Sequence, residues 1–141
     1  MIVLDTNVMS ALMRDETEPR VTAWLNDQSP GSTWLTSVTV FEIRMGLELL
    51  PLGRRRRRLE DAFTRSLDED FEGRVWPFDR AAAEAAAVLA ARRRAIGRPV
   101  EYRDTQIAGI AIARGAALAT RNIRDFSNLP VTAIDPWQVG A

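Results

Sequence analysis

The sequence predicts an α/β domain built on a mainly parallel sheet. Three observations predict it. Five short apolar segments read as strands, around "IVL", "TWLTS", "RVWPF", "AALAT" and "VTAI". Longer helical segments separate the first four of them, and strands separated by helices form parallel sheets with helices on both faces. The chain is 141 residues long and 46% hydrophobic, enough for one ordinary domain with a real core.

In chain order, Ile2 to Leu4 is the first strand. A helix over Val8 to Met13 follows, with Thr6 or Asn7 as its cap. A second helix starts after Pro19 and turns Val21, Trp24 and Leu25 inward. "SPGS" is a loop, "TWLTS" the second strand, and "VTVFEIRMGLELL" a helix ended by Pro51. "RRRRRLEDAFTRSLDED" is another helix, with Arg56 four residues before Glu60 and Arg57 four before Asp61. "RVWPF" is the third strand. Asp79 caps an alanine-rich helix that Gly97 and Pro99 stop. "RDTQIAGIAIAR" is the last long helix, closed by Gly115. "AALAT" is a strand, "TRNIRDFSNL" a loop or turn, and "VTAI" the final strand. No repeat or linker divides the chain, so residues 1–141 are expected to be one domain.

Absences narrow the chemistry. There is no cysteine or histidine, and all nineteen cations are arginine. Disulfides, thiolate and imidazole ligands, histidine bases, Schiff bases and the P-loop lysine are therefore all excluded. What remains is carboxylates, hydroxyls, amides, one tyrosine and arginines, a set that suits hard, oxygen-bound cations such as Mg²⁺ or Mn²⁺. The formal net charge is zero, so attraction to a polyanion must come from local arginine clusters. No apolar run approaches the roughly 20 residues that cross a bilayer. No charged leader precedes the first strand, so no signal peptide is expected and the expectation is a soluble cytoplasmic protein.

Four acids are oddly placed. Asp5 stands at the carboxyl end of the first strand, where open α/β sheets bind ligands; it either caps the next helix or walls a metal site. Glu42 falls on the inner side of its helix, roughly 160° from Arg44 at 100° per residue. Such an acid needs a hydrogen-bonding or positive partner, for which an arginine is the plain alternative. Thr39 and Gly46 flank it and leave a notch. Asp104 opens its helix, where capping is the plain alternative, and Ala108 and Ala111 leave room beside it. Asp125 follows the fourth strand, with Thr120 and Asn122 offering a hydroxyl and an amide at the same edge. Like charges gathered in one place repel, and a divalent cation relieves the repulsion.

The segments "MIVLDTNVMSAL", "TSVTVFEIRMGL", "RPVEYRDTQIAGIAIARG" and "LATRNIRDFSNL" resemble the four signature segments of PIN-domain proteins, most of all the VapC/FitB-type toxins of bacterial toxin–antitoxin modules. The resemblance runs from Met1 to about Trp137. It implies a three-layer α/β/α sandwich and a Mg²⁺- or Mn²⁺-dependent endoribonuclease. It also implies an acidic pocket of Asp5, Glu42, Asp104 and Asp125. Asp5 and Asp104 would be the direct metal ligands. Glu42 and Asp125 would act directly or through water, and Asn7, Thr120 and Asn122 would support the site. Thr105 departs from the small apolar residue common there. The resemblance further implies a homodimer, and a cognate antitoxin that wraps the toxin and pushes a basic side chain toward the acids.

The run Arg54 to Arg58 is either a solvated helix face paired with nearby acids or a contact for RNA or antitoxin. Five successive helical residues span more than one turn, so at most two or three of them can line a phosphate path; Arg54, Arg55 and Arg58 are the candidates. Two rival functions are a receiver-like or haloacid-dehalogenase-like phosphoryl-transfer domain, which relies on a lysine, and a non-catalytic module whose acidic pocket receives a partner's arginine.

Overall fold

The computed structural model describes residues 1–14, 18–98 and 101–138. Its elements run β1 (Ile2–Leu4), α1 (Thr6–Leu12), α2 (Pro19–Asn26), β2 (Thr33–Thr36), α3 (Ser37–Glu48) and α4 (Arg54–Arg65). A π-helical turn at Ser66–Asp70 extends α4. Then come β3 (Val75–Trp76), α5 (Arg80–Ala95), α6 (Tyr102–Ala113) and β4 (Ala117–Ala119). A 3-10 turn at Ile123–Phe126 leads to β5 (Ala133–Ile134). The strand order is β3-β2-β1-β4-β5, and all four pairings are parallel. The chain builds outward from β1 to β3, then returns to the other side of β1 for β4. The carboxyl ends of β1 and β4 therefore flank the point where the winding reverses, which is where such sheets open a crevice.

Register follows from alternation. Val3 lies level with Trp34 and Leu118, and Leu4 lies level with Ala119. Successive residues of β1 thus serve opposite faces. Leu4, Leu35 and Ala119 join Val8, Met9, Val21, Trp24, Phe63 and Phe71 in one core under α1, α2 and α4. Val3 and Leu118 join Leu89, Ile107, Ile110 and Phe126 in a second core under α5 and α6. Helix α3 straddles the two, giving Ile43 and Leu47 to the first and Val38 to the second. Two cores with one sheet between them make the three-layer sandwich. Each large side chain buried this way contributes about 1.5–3 kcal/mol.

Several helix ends differ from the expectation. Asp5 itself, in extended backbone, caps α1, so Thr6 and Asn7 are already helical. Glu101 caps α6 through the Arg103 N–H, which leaves Asp104 in the first turn as a residue that does not cap. The reason is the same in both cases: an acid nearer the preceding segment, one position before Thr6 and three before Asp104, already points at the free N–H groups. Asp79 caps α5 by accepting from the Ala82 N–H at 3.0 Å. Gly97, at φ +75°, ends it in the left-handed conformation glycine favours. Pro99, expected to share that task, lies outside the described residues. Arg56 pairs with Glu60 at 3.1 Å, but among the described residues no ion pair joins Arg57 to Asp61.

Helices α5 and α6 meet at Gly109. A Cβ there would lie 2.6 Å from the Ala82 carbonyl oxygen and 2.7 Å from the Ala86 Cβ. The contact is with backbone, so a side chain cannot simply rotate away. Gly109→Val is expected to force the helices apart and cost about 1–3 kcal/mol, read as a lower urea midpoint at unchanged slope. A variant as stable as the parent would show that the helices do not pack this closely.

Candidate active site

Asp5 is 2% exposed at the end of the central strand. Its own N–H continues the sheet by donating to the Ala119 carbonyl at 2.8 Å. Its two carboxylate oxygens are held separately. One accepts from the Thr6 N–H at 2.8 Å, and the other accepts from the Thr120 hydroxyl at 2.7 Å. Thr120 is fully buried just beyond β4, and its oxygen accepts in turn from the Asn122 backbone N–H at 3.1 Å. The strand ends β1 and β4 are thus tied by side chains as well as by the sheet. Asn122 serves this chain through its backbone rather than its amide. Asn7 reaches the same edge, its side-chain oxygen accepting from the Arg121 N–H at 3.5 Å.

Glu42 approaches from α3, its side chain 20% exposed. It accepts from the Thr6 hydroxyl at 2.8 Å. Because that hydroxyl has one proton, the Thr39 hydroxyl, 2.9 Å away, donates to Thr6 in turn. The arginine that meets Glu42 is Arg103, at 3.5 Å, half-exposed and also stacked over Phe41. Asp104 faces the same space from the first turn of α6, and among the described residues its carboxylate has no hydrogen bond or ion pair.

Asp5, Asn7, Glu42, Asp104 and Asn122 line one open cavity of about 400 Å³, together with Trp137. Trp137 is fixed there by donation from its indole N–H to Glu18 and by the Arg121 guanidinium over its ring. Asp125 sits on the exposed 3-10 turn outside that lining, near enough for its charge to act on Asp5 and Asp104.

The electrostatics record the crowding. Burial pushes the Asp5 carboxyl above its ordinary range; the Thr120 hydroxyl and Thr6 N–H pull it back, and the charges of Glu42 and Asp125 push it up again. Asp104 is pushed from 3.8 up to about 7, by burial first and then by the charges of Asp5, Glu101, Glu42 and Asp125. These are carboxylates short of positive charge. Among the described residues, no group of three acids stands together as a ready metal cage. Glu42 is turned to Thr6 and Arg103, and Asp125 lies on its own turn. The donor set still suits a small hard cation. Mg²⁺ is ordinarily held by one or two carboxylates with waters completing its shell, and Asp5 and Asp104, which line the same cavity, are the two that could hold it.

Arg103, Trp137 and the donor role of Thr6 were not expected from the sequence. The one available signal was the position of Arg103, directly before Asp104 and thus at the site by necessity.

An acid raised from 3.8 to about 7 keeps a proton in the folded protein that the unfolded chain has released. Between those pH values its contribution to stability therefore falls as pH rises. In chelator, Asp104→Asn is expected to raise the thermal midpoint above the parent's at pH 8 and to match it at pH 4. Equal midpoints at pH 8 would contradict the crowding.

Comparison with known proteins agrees with this architecture. A family profile described as PIN domain matches residues 2–131. A VapC ribonuclease, Y4jK, of Sinorhizobium fredii is 36% identical over 138 residues, covering 98% of this chain and 99% of that one. Toxin FitB of Neisseria gonorrhoeae is 33% identical over 137 residues, covering 97% and 99%. The crystal structure of FitAcB from the same organism superposes with a TM-score of 0.88 at 32% identity, covering 99% of this chain and 100% of that one. With fold and sequence in accord, the chain belongs to the PIN-domain family.

Proposed function

We propose that this protein is a metal-dependent endoribonuclease and the toxin of a type II toxin–antitoxin module. The observation that carries the reading is the cavity at the reversal point of the sheet. Three carboxylates line it, Asp5, Glu42 and Asp104; Asp5 is buried and Asp104 is raised to about 7. The chain has no histidine, cysteine or lysine to perform other chemistry. The relatives named as a VapC ribonuclease and a toxin support the activity and the module.

In this reading Asp5 and Asp104 hold Mg²⁺ or Mn²⁺, with Glu42 and Asp125 assisting directly or through water. A cation held there would supply charge neutralisation at an RNA phosphodiester and a more acidic water. The protein's own groups do the rest. The Thr6 N–H and the Thr120 hydroxyl fix both oxygens of Asp5, so the carboxylate does not rotate. Asn122 orients the Thr120 hydroxyl, and Asn7 anchors the Arg121 backbone beside it. Asp104, unpaired among the described residues, offers its negative charge to the cavity. Its ionisation falls near pH 7, so loading with cation is expected to strengthen as pH rises through that range. A cognate antitoxin, a homodimer and a cytoplasmic site complete the proposal. Among the described residues no helix is long and apolar enough to cross a membrane.

One observation favours a second reading, in which the pocket only receives a partner's arginine: Glu42 already accepts a guanidinium from Arg103. Calorimetry with Mn²⁺ separates the two, since a pure binding module takes up no cation.

The purified protein is expected to cleave total RNA with Mg²⁺ or Mn²⁺ and not in EDTA. Asp5→Asn removes a ligand and is expected to lose at least about 100-fold in rate. Thr120→Val removes only the support behind it and is expected to lose about 10–100-fold, as losses behind a metal ligand typically do. Cleavage by Asp5→Asn at the parental rate would end the assignment.

A further inference from the structure

The run Arg54 to Arg58 does not act as one patch. Arg56 is turned back on the protein, pairing with Glu48 at 2.8 Å and Glu60 at 3.1 Å. Arg55 and Arg58, three residues apart and so on one face of α4, are exposed. Among the described residues they make no hydrogen bond or ion pair. Both line a groove of about 490 Å³ between α1, α3 and α4, into which Arg103 projects from α6. Arg54 and Arg57 are not part of its wall. The groove shares Thr6, Ser10, Arg14 and Glu42 with the acidic cavity, so the two spaces are continuous.

A positively lined groove running into an acidic cavity is an unusual juxtaposition in a chain of zero net charge. Arg55 and Arg58 have no acid to neutralise them there: Glu42 is the groove's one acidic residue among those described, and Arg103 already faces it. Guanidinium groups without carboxylate partners suit phosphate oxygens. We infer that the groove takes the RNA backbone on one side of the bond to be cut, with Arg55, Arg58 and Arg103 contacting phosphates next to the scissile one at the acidic cavity. The inference rests on the ribonuclease reading for the identity of the polyanion. Arg103 has a double place in it. Its contact with Glu42 is a 3.5 Å pair on a half-exposed side chain, which an arriving phosphate can share. The apolar floor of Ile43, Leu47 and Leu59 lies beneath the path, where sugar and base edges can rest.

The test is binding without cleavage. A fluorescein-labelled twelve-residue oligouridylate is titrated with the full chain in EDTA, by anisotropy, across a NaCl series. Arg55→Gln/Arg58→Gln is expected to bind at least tenfold more weakly. Its plot of log affinity against log salt should be shallower by about 1.4, or about 0.7 for each single-strand phosphate that is no longer neutralised. Arg103→Gln is expected to flatten the slope by about half as much. Arg54→Gln/Arg57→Gln removes the same charge from outside the groove and is expected to keep the parental affinity within about twofold, with circular dichroism confirming that every variant is folded. Parental affinity in the Arg55/Arg58 variant overturns the inference. So does an equal loss in the Arg54/Arg57 variant, or a parent that does not bind the oligomer. A groove that serves a protein partner gives the first of these results. Failure of the ribonuclease reading shows separately, as groove-dependent binding in EDTA with no cleavage when metal is restored.

Discussion

A carboxylate buried at the end of the central strand is costly, and the site is arranged around offsetting that cost. Asp5 is almost inaccessible to water, and two hydrogen bonds, each shorter than 2.9 Å, satisfy its oxygens without supplying positive charge. They do not fully compensate: burial still dominates and holds its proton affinity up. Asp104 adds a second charge against the first, and its own proton affinity rises to match. A protein with nineteen arginines could have paired these acids as it pairs Glu48 and Glu60 with Arg56. It leaves Asp5 and Asp104 without such a partner among the described residues. Arg14 and Arg121 reach the cavity wall, yet among the described residues no ion pair joins an arginine to either acid, so the two carboxylates stay open to a cation from outside.

The fold makes the crowding possible. Asp5 and Thr120 come from positions far apart in the sequence, yet β1 and β4 are neighbours because the winding reverses between them. The first core fixes α1 and α3 on one face of the sheet, which brings Thr6 and Glu42 together. The second fixes α6 on the other, where Gly109 lets it lie against the backbone of α5 and Asp104 overhangs the strand ends. Each acid is thus delivered by a different packing interaction. The continuity of the acidic cavity with the arginine groove has the same origin, since α1 and α3 wall both.

Most of the element order was legible because it rests on local signals: apolar strands, turn residues, and caps such as Asp79. The inward side of Glu42 could be read from helical spacing alone. Which residue caps a helix could not, because Thr6, Asn7 and Asp5 are all competent and only the path of β1 selects Asp5. Asp104 looked like a cap for the same reason, until Glu101 took that place. The arginine run shows the limit most clearly. Spacing allowed two or three residues to face one way, and Arg54 was among those favoured. Only the packing of α4 on α3, with Arg56 reaching Glu48, turns Arg55 and Arg58 into the groove and Arg54 out of it. Arg103 was signalled only by its place next to Asp104; its pairing with Glu42 was not legible, because that partner lies 61 positions away by sequence number, on another helix.

The central claim is that the two crowded carboxylates share one cation. Anomalous diffraction from crystals grown with Mn²⁺ at pH 8 tests it most directly. The account predicts a single strong peak within about 2.0–2.3 Å of an oxygen of Asp5 and an oxygen of Asp104, distances at which small divalent cations bind oxygen. Crystals saturated with Mn²⁺ that show no peak between these residues, or one bound elsewhere on the protein, would contradict it.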